Sequence, residues 1–148
     1  MKSSFAVNRS EKLSKFKNQE GSKIEMEKVF KYSLITTFFL NMFGTAVFIP
    51  SFQGLRQFCG LPEGGHPLYG WVIGLWIFFF GVAYLWLAFS QTRQSLFVLI
   101  AALGKSWFVG LLVIYAFLGE ISVETAVSGL PDLTIATIFF VWLFKTRT

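Results

Sequence analysis

A single cation, Lys105, lies in the middle of an apolar run from Gln94 to Gly119 that holds no other charged residue. The run is long enough to cross the hydrocarbon core of a bilayer, which takes about 20 helical residues. A lysine at the centre of such a span costs about 2.5 to 3.5 kcal/mol on insertion scales. We therefore expect Lys105 to face the interior of a helical bundle and to have a polar or anionic partner there.

The composition requires lipid as the solvent for much of the surface. Hydrophobic residues make up 54% of the 148 residues and charged residues only 14%, whereas soluble domains contain about 25% charged residues. A chain of this length forms one domain, and one small core in water cannot bury so much apolar surface. The composition therefore favours an integral membrane protein.

Four apolar segments follow a polar N-terminus, and together they predict an all-α, four-helix transmembrane bundle with a polar N-terminal tail. Residues 1–28 show no clear helical or strand period and are expected to form a flexible cytoplasmic tail. Residues 29–148 are expected to form the membrane domain. Its spans are predicted at about 31–50, 69–89, 95–119 and 130–144.

The distribution of Lys and Arg predicts the orientation of these spans. Eight of the thirteen basic residues lie in the first 31 positions. A four-span topology adds Arg93, Lys145 and Arg147 to the same side and leaves only Arg56 on the other. Because basic residues accumulate in cytoplasmic loops, we predict a multi-pass protein of the cytoplasmic (inner) membrane with both termini in the cytoplasm. The basic arm is a topology signal and a contact for anionic lipid; nucleic acid is not an expected partner.

Counting residues from the inner ends of the spans brings polar side chains to one depth. At about 1.5 Å per helical residue, Asn41 and Lys105 lie about 15 Å, and Asp132 about 18 Å, from the inner ends of their spans. Tyr84 lies one turn from that level. Because two ions removed from water need each other and further hydrogen bonds, we predict a buried Lys105–Asp132 pair, with Asn41 and Tyr84 as its hydrogen-bonding neighbours.

The last span is expected to begin inside the bilayer. Its apolar stretch, 133–144, is too short to cross a hydrocarbon core of about 30 Å. Gly129 and Pro131 predict a helix start directly before Asp132, where the helix dipole favours an anion. Backbone that ends inside a membrane must be covered by protein or water, so residues 122–129 are expected to supply a short outer helix or a re-entrant piece.

Small residues predict where helices approach closely. One face of the second span and one of the third consist of small side chains, and such faces allow helices to pack tightly in lipid. Packing inside the bundle is the favoured use, and a homodimer is the open alternative. The residues are Gly70, Gly74, Gly81 and Ala88 on the second span, and Ala102, Ser106 and Gly110 on the third.

The first outer loop holds the other candidate site. Arg56 and His66 are candidates for binding an anion or a lipid headgroup, although helix capping and general contact with lipid phosphates are the favoured interpretation of such residues. Cys59 and His66 are the only cysteine and histidine, so a metal or haem site formed by this chain alone is not expected. No Ser-His-Asp, HExxH, Walker or GxGxxG pattern occurs. We therefore predict no catalytic residues and do not expect an enzyme acting alone.

Five short motifs resemble, in their order and spacing, the DoxX-like family of small four-span bacterial membrane proteins. They are F-I-P (Phe48–Pro50), G-L-P (Gly60–Pro62), H-P-L-Y (His66–Tyr69), A-A-L-G-K (Ala101–Lys105) and L-P-D-L (Leu130–Leu133), and the resemblance covers roughly residues 32–145. The resemblance implies a four-helix membrane bundle. It also implies a quinone connection, since some relatives named DoxX are linked to quinone-coupled sulfur oxidation as accessory subunits. The chain departs from the family at Pro131, where glycine is frequent.

Three functions fit these features. The favoured one is a non-catalytic or accessory membrane protein that holds a lipophilic small molecule, a quinone or a lipid, near the Lys105–Asp132 pair. A quinone is then the candidate cofactor, and a membrane or redox protein is the candidate partner besides the bilayer. The alternatives are a structural or assembly membrane protein whose ion pair only fixes the fold, and a small proton-coupled transporter.

Overall fold

The computed structural model describes the backbone of residues 2–146 and the side chains of residues 19–146. All regular structure in this part of the chain is helical. The elements are α1 (Lys2–Phe48), a 3-10 turn (Pro50–Phe52), α2 (Gln53–Phe58), α3 (Pro67–Phe89), α4 (Ser95–Phe117), α5 (Val123–Val127) and α6 (Leu130–Thr146).

Three helical stretches are long and apolar enough to cross a membrane. They are α3, α4 and the stretch Val123–Thr146 that joins α5 to α6. A fourth is obtained if Gln19–Phe48 of α1 is counted with Pro50–Phe58, which meets it at an angle of 82°. The described residues thus confirm an all-helical protein with three to four candidate spans.

The first helix is longer than predicted. It begins at Lys2, so residues 2–28, predicted as a flexible tail, are helical. This stretch contains no proline and many lysines and glutamates, which are good helix formers. A helix that is polar on all sides shows no amphipathic period, and for this reason it was not predicted. Among the described side chains, Met26 is the first along α1 that packs against the core, close to the predicted domain boundary; the cytoplasmic location of the segment stays a prediction.

Glycines on α3 allow it to lie directly against α1. A Cβ atom at Gly70 would lie 2.8 Å from the Phe48 backbone oxygen, and one at Gly81 would lie 2.6 Å from Met42 Cε. The small face of the second span therefore packs inside the bundle, as favoured. On α4, by contrast, a Cβ at Gly110 would meet nothing within 4 Å. The homodimer stays a prediction.

The packed core lies at the end of the bundle that holds the chain's basic residues. Phe30 of α1 stacks on Trp142 of α6, with ring centroids 4.2 Å apart, and Phe139 meets Phe30 edge-on at 5.6 Å. Helix α1 packs along α3 and α6, and α6 packs along α4. Toward the opposite end, the two-residue turn Ser128–Gly129 and the short helix α5 continue α6. That half of the bundle is more open and contains two cavities of about 450 and 500 Å³.

Candidate functional site

Lys105 and Asp132 meet where the packed and the open halves of the bundle join. Lys105 lies near the middle of α4, and its Nζ donates a hydrogen bond to Asp132 Oδ1 in the first turn of α6. The Lys105 side chain is 10% exposed and that of Asp132 is 23% exposed. The contact predicted from helix depth is therefore present, and it joins the last two long helices.

The turn between α5 and α6 sets the position of Asp132. A Cβ atom at Gly129 would lie 3.0 Å from Leu112 Cδ1 on α4 and 3.3 Å from the Ala126 backbone oxygen. A glycine therefore lets this turn lie close against α4. Helix α5 is the short outer helix expected at 122–129, and Ser122 caps it by accepting a hydrogen bond from the Thr125 backbone N–H.

Asn41 lies beside the pair but bonds elsewhere. Its Nδ2 donates to the Ile77 backbone oxygen on α3 at 3.1 Å and not to the Lys105–Asp132 pair that was predicted as its partner. The close approach of α1 to α3 at Gly81 explains the difference, since a Cβ there would lie 3.1 Å from Asn41 Cβ. Asn41 is thus an interhelical hydrogen-bond partner that joins α1 to α3.

Tyr84 is buried beside the pair and approaches Lys105 with its ring. Its centroid lies 6.0 Å from Lys105 Nζ, a distance at which a cation is attracted to the face of an aromatic ring. The Tyr84 ring also meets Phe97 of α4 edge-on at 5.4 Å. The predicted neighbour is therefore present, with the aromatic face rather than the hydroxyl as the observed contact.

A cleft of about 450 Å³ leads from the side of the bundle to the ion pair. Near one end of the cleft, the Phe80 ring of α3 stacks on the Phe97 ring of α4, with ring centroids 6.2 Å apart. These two rings hold the backbones of α3 and α4 apart. Beyond them the gap between the helices is open, and Trp76 and Ile100 at its walls are 63% and 50% exposed. The cleft is mostly apolar, and its polar residues include Asn41, Tyr84, Lys105 and Asp132.

A second cavity of about 500 Å³ lies between α1, α4 and α5, and Asp132 lines it as well. The segment after α2 covers it. There Thr125 Oγ1 lies 3.4 Å from the backbone oxygens of Cys59 and Gly60. Gly60 has φ +66°, and a Cβ atom on it would lie 2.4 Å from Thr125 Oγ1. Asp132 therefore lines both cavities.

Arg56 and His66 both have structural partners in the first outer loop. Arg56 Nε donates to the Pro62 backbone oxygen at 2.8 Å. His66 Nδ1 accepts from the Leu68 backbone N–H at 3.2 Å and so caps α3. The two side chains also line a cavity of about 250 Å³. Helix capping, one of the two uses expected, is therefore present at His66; binding of an anion or headgroup stays a prediction.

A polar cluster at the basic end of the bundle was missed by sequence reasoning. Glu27 Oε1 accepts from Trp142 Nε1 at 2.8 Å, and Glu27 Oε2 lies 3.6 Å from Arg93 Nε. Arg93 Nη1 donates to the Leu87 backbone oxygen at the end of α3. The cluster ties α1, α6 and the α3–α4 turn together. The only indication of this cluster in the sequence was Glu27, an acidic residue one helical turn before the first apolar segment.

Comparison with known proteins adds no relative to this picture. No protein-family model, curated protein or solved structure matches the chain. Among the described residues, no group of three or more His, Cys, Asp and Glu side chains is arranged to hold a metal ion. The DoxX-like resemblance accordingly stays a prediction carried by its motifs, two of which contain Lys105 and Asp132.

Proposed function

We propose that this chain is a multi-pass protein of the cytoplasmic membrane that binds a lipophilic small molecule, a quinone or a lipid, in the cleft between α3 and α4. It acts as a non-catalytic or accessory subunit of DoxX-like type, with both termini in the cytoplasm. The observation that carries the proposal is a buried Lys105–Asp132 pair at the inner wall of a largely apolar cleft.

The hydrogen-bonding capacity of the pair supports a polar group on the ligand. An ammonium has three donors and a carboxylate accepts about four hydrogen bonds, and the contact of Lys105 with Asp132 uses one of each. The remaining donors suit a carbonyl oxygen, and the remaining acceptors suit a hydroxyl group. A quinone carries the first group and its reduced form carries the second.

The size and the walls of the cleft support a flat apolar body. Its volume of about 450 Å³ falls within the range of about 300 to 1,000 Å³ that is usual for small-molecule sites. Trp76, Phe80 and Tyr84 supply aromatic surface along α3. A ring between these side chains leaves an apolar tail free to run out past Trp76 and Ile100 into lipid.

The distribution of charge supports the orientation. Basic residues gather at the end of the bundle that holds Glu27 and Arg93, whereas Arg56 lies in α2 at the opposite end. An excess of Lys and Arg marks the cytoplasmic side of a membrane protein. This assignment puts the ion pair about halfway across the membrane and the second cavity on its outer side.

A structural or assembly role is the second candidate. The direct contact between Lys105 and Asp132 favours it, because a pair whose members meet inside the protein fixes the register of α4 against α6 without any ligand. Asp132 in the first turn of α6 is also stabilised by the dipole of its own helix. A measurement of ligand binding distinguishes this structural role from the proposed ligand-binding role.

Decylubiquinone is expected to bind and to quench the fluorescence of Trp76, which lines the cleft. Hydrogen bonds to charged groups contribute about 1.5 to 3 kcal/mol each. The double variant Lys105→Met/Asp132→Leu is therefore expected to bind at least about tenfold more weakly. Titration of the purified full-length protein in detergent with decylubiquinone measures both the quenching and the change in affinity. The single variant Trp76→Phe should lose most of the saturable quenching.

The control for this titration is Lys28→Met/Glu25→Leu, which removes the same two charges from exposed positions on α1 and should keep wild-type affinity. Equal affinity in the wild type and the folded Lys105→Met/Asp132→Leu variant would assign the pair to the structural role. Absence of saturable quenching, together with no co-purifying small molecule in native mass spectra, would refute ligand binding altogether.

A further inference from the structure

A basic groove lies at the end of the bundle opposite the outer loop. Its volume is about 360 Å³. It combines four cationic side chains with one acidic and one apolar side chain, and it draws on two separate elements, α1 and the α3–α4 turn. The lining residues are Lys23, Ile24, Glu27, Lys28, Lys31 and Arg93.

The one acidic residue of the groove is already engaged. Glu27 accepts from Trp142 Nε1 with one oxygen, and its other oxygen faces Arg93 Nε at 3.6 Å. Its negative charge is therefore compensated inside the protein. Since the groove has four cations and one anion, it retains an excess of three positive charges.

Two of the cations are held in position by the end of α3. Lys31 Nζ lies 4.9 Å from the centroid of the Phe89 ring, and Arg93 Cζ lies 5.6 Å from that of Phe30. Arg93 is also fixed by its hydrogen bond to the Leu87 backbone oxygen. Cations held in place beforehand lose less conformational entropy when an anion binds.

The depth of the groove matches the headgroup layer of a bilayer. Measured along α1 at about 1.5 Å per residue, Lys31 lies about 15 Å and Lys28 about 20 Å from Asn41. If the polar layer around Asn41 lies at the bilayer centre, the hydrocarbon core ends at about 15 Å and the headgroups at about 20 to 22 Å. Phe89, beside Lys31, is 67% exposed.

We propose that this groove binds the phosphate of one anionic phospholipid. Lys28 and Lys31 of α1 and Arg93 of the α3–α4 turn surround the phosphate, and the acyl chains lie beside Phe89. The site is distinct from the cleft at Lys105. It requires a membrane protein but no quinone or other ligand in the cleft.

Native mass spectrometry of the delipidated full-length protein in detergent tests the proposal by titration with phosphatidylglycerol and phosphatidylcholine. One phosphatidylglycerol should bind in preference to phosphatidylcholine. Each basic residue near an anionic lipid contributes roughly fivefold in affinity, so Lys28→Gln/Lys31→Gln should weaken phosphatidylglycerol binding about 25-fold. Lys12→Gln/Lys15→Gln removes the same charge at least about 20 Å farther along α1, beyond the Debye length, and should change the affinity less than about twofold.

Three results would overturn the assignment. Equal binding of the two lipids would remove the requirement for an anion. Equal losses in the two double variants would show a general effect of net charge rather than a site. Inorganic phosphate or polyglutamate that binds as tightly as phosphatidylglycerol would assign the groove to a free anion or to an acidic protein. Melting curves of both variants establish that each is folded.

Discussion

Replacing Lys105 by methionine is expected to destabilise the protein by about 3 to 5 kcal/mol, because breaking a buried ion pair leaves the other charge without a partner. The partner left behind is Asp132, whose side chain is 23% exposed. It also lines the second, outer cavity, where water offsets part of the loss, so the lower end of the range is expected. Equilibrium unfolding in mixed detergent micelles, followed by circular dichroism, measures the change.

The double variant Lys105→Met/Asp132→Leu is expected to recover most of that stability, to within about 1 to 2 kcal/mol of the wild type, because apolar side chains of similar volume often replace a buried pair at little cost. Lys28→Met makes the same single substitution at an exposed position and should change the free energy of unfolding by less than about 0.5 kcal/mol. A Lys105→Met variant as stable as Lys28→Met would mean that the two charges are not coupled in the folded protein.

Gly70→Val is expected to destabilise the protein by about 3 kcal/mol, at the upper end of the usual cost of overpacking. The added Cβ would lie 2.8 Å from the Phe48 backbone oxygen and 3.0 Å from Pro50 Cγ. Neither atom belongs to a flexible side chain that can turn away, so α1 and α3 must separate. The same unfolding measurement reports the loss.

Gly110→Val is the matched control for this substitution. Gly110 lies in α4, and a Cβ atom there would meet nothing within 4 Å. We expect its free energy of unfolding to stay within about 0.5 kcal/mol of the wild type. Similar losses in the two variants would contradict the close contact between α1 and α3 as the cause of the effect at Gly70.

The ion pair was predictable because a charge inside a bilayer leaves few arrangements open. The apolar stretch after Asp132 is too short to cross the bilayer, so the charged residues at one of its two ends must lie deep in the hydrocarbon core. Burying Lys145 and Arg147 there would cost more than burying Asp132. Helix rise then converts sequence position into depth. The same reasoning predicted the short helix α5, since the backbone of a helix that begins inside the membrane must be covered by protein or water.

The partner of Asn41 was not predictable in this way. Counting residues gives the depth of a side chain but not the neighbour toward which its face of the helix turns. Asn41 shares the level of Lys105, yet its amide reaches Ile77 because glycines bring α3 close to α1. The helix through residues 2–28 was missed for a different reason, because uniformly polar helices carry no periodic signal.

The two cavities could not be foreseen from the sequence. They depend on the spacing between helices, which contacts such as those of Phe80 and Tyr84 with Phe97 determine. Spacing of that kind follows from side-chain packing in three dimensions and leaves no trace in hydropathy. The lateral opening of the cleft, on which the proposed function rests, is therefore a structural finding.

The depth and solvent of the cleft are measured most directly by electron paramagnetic resonance of a spin label at position 104, introduced as Gly104→Cys in a Cys59→Ser background and reconstituted in lipid vesicles. Gly104 lines the cleft beside Lys105, and a Cβ there would meet nothing within 4 Å. We expect high accessibility to oxygen, low accessibility to a water-soluble nickel chelate, and a depth near the bilayer centre. High accessibility to the nickel chelate with low accessibility to oxygen would place the pair in water and contradict a lipid-facing site at Lys105 and Asp132.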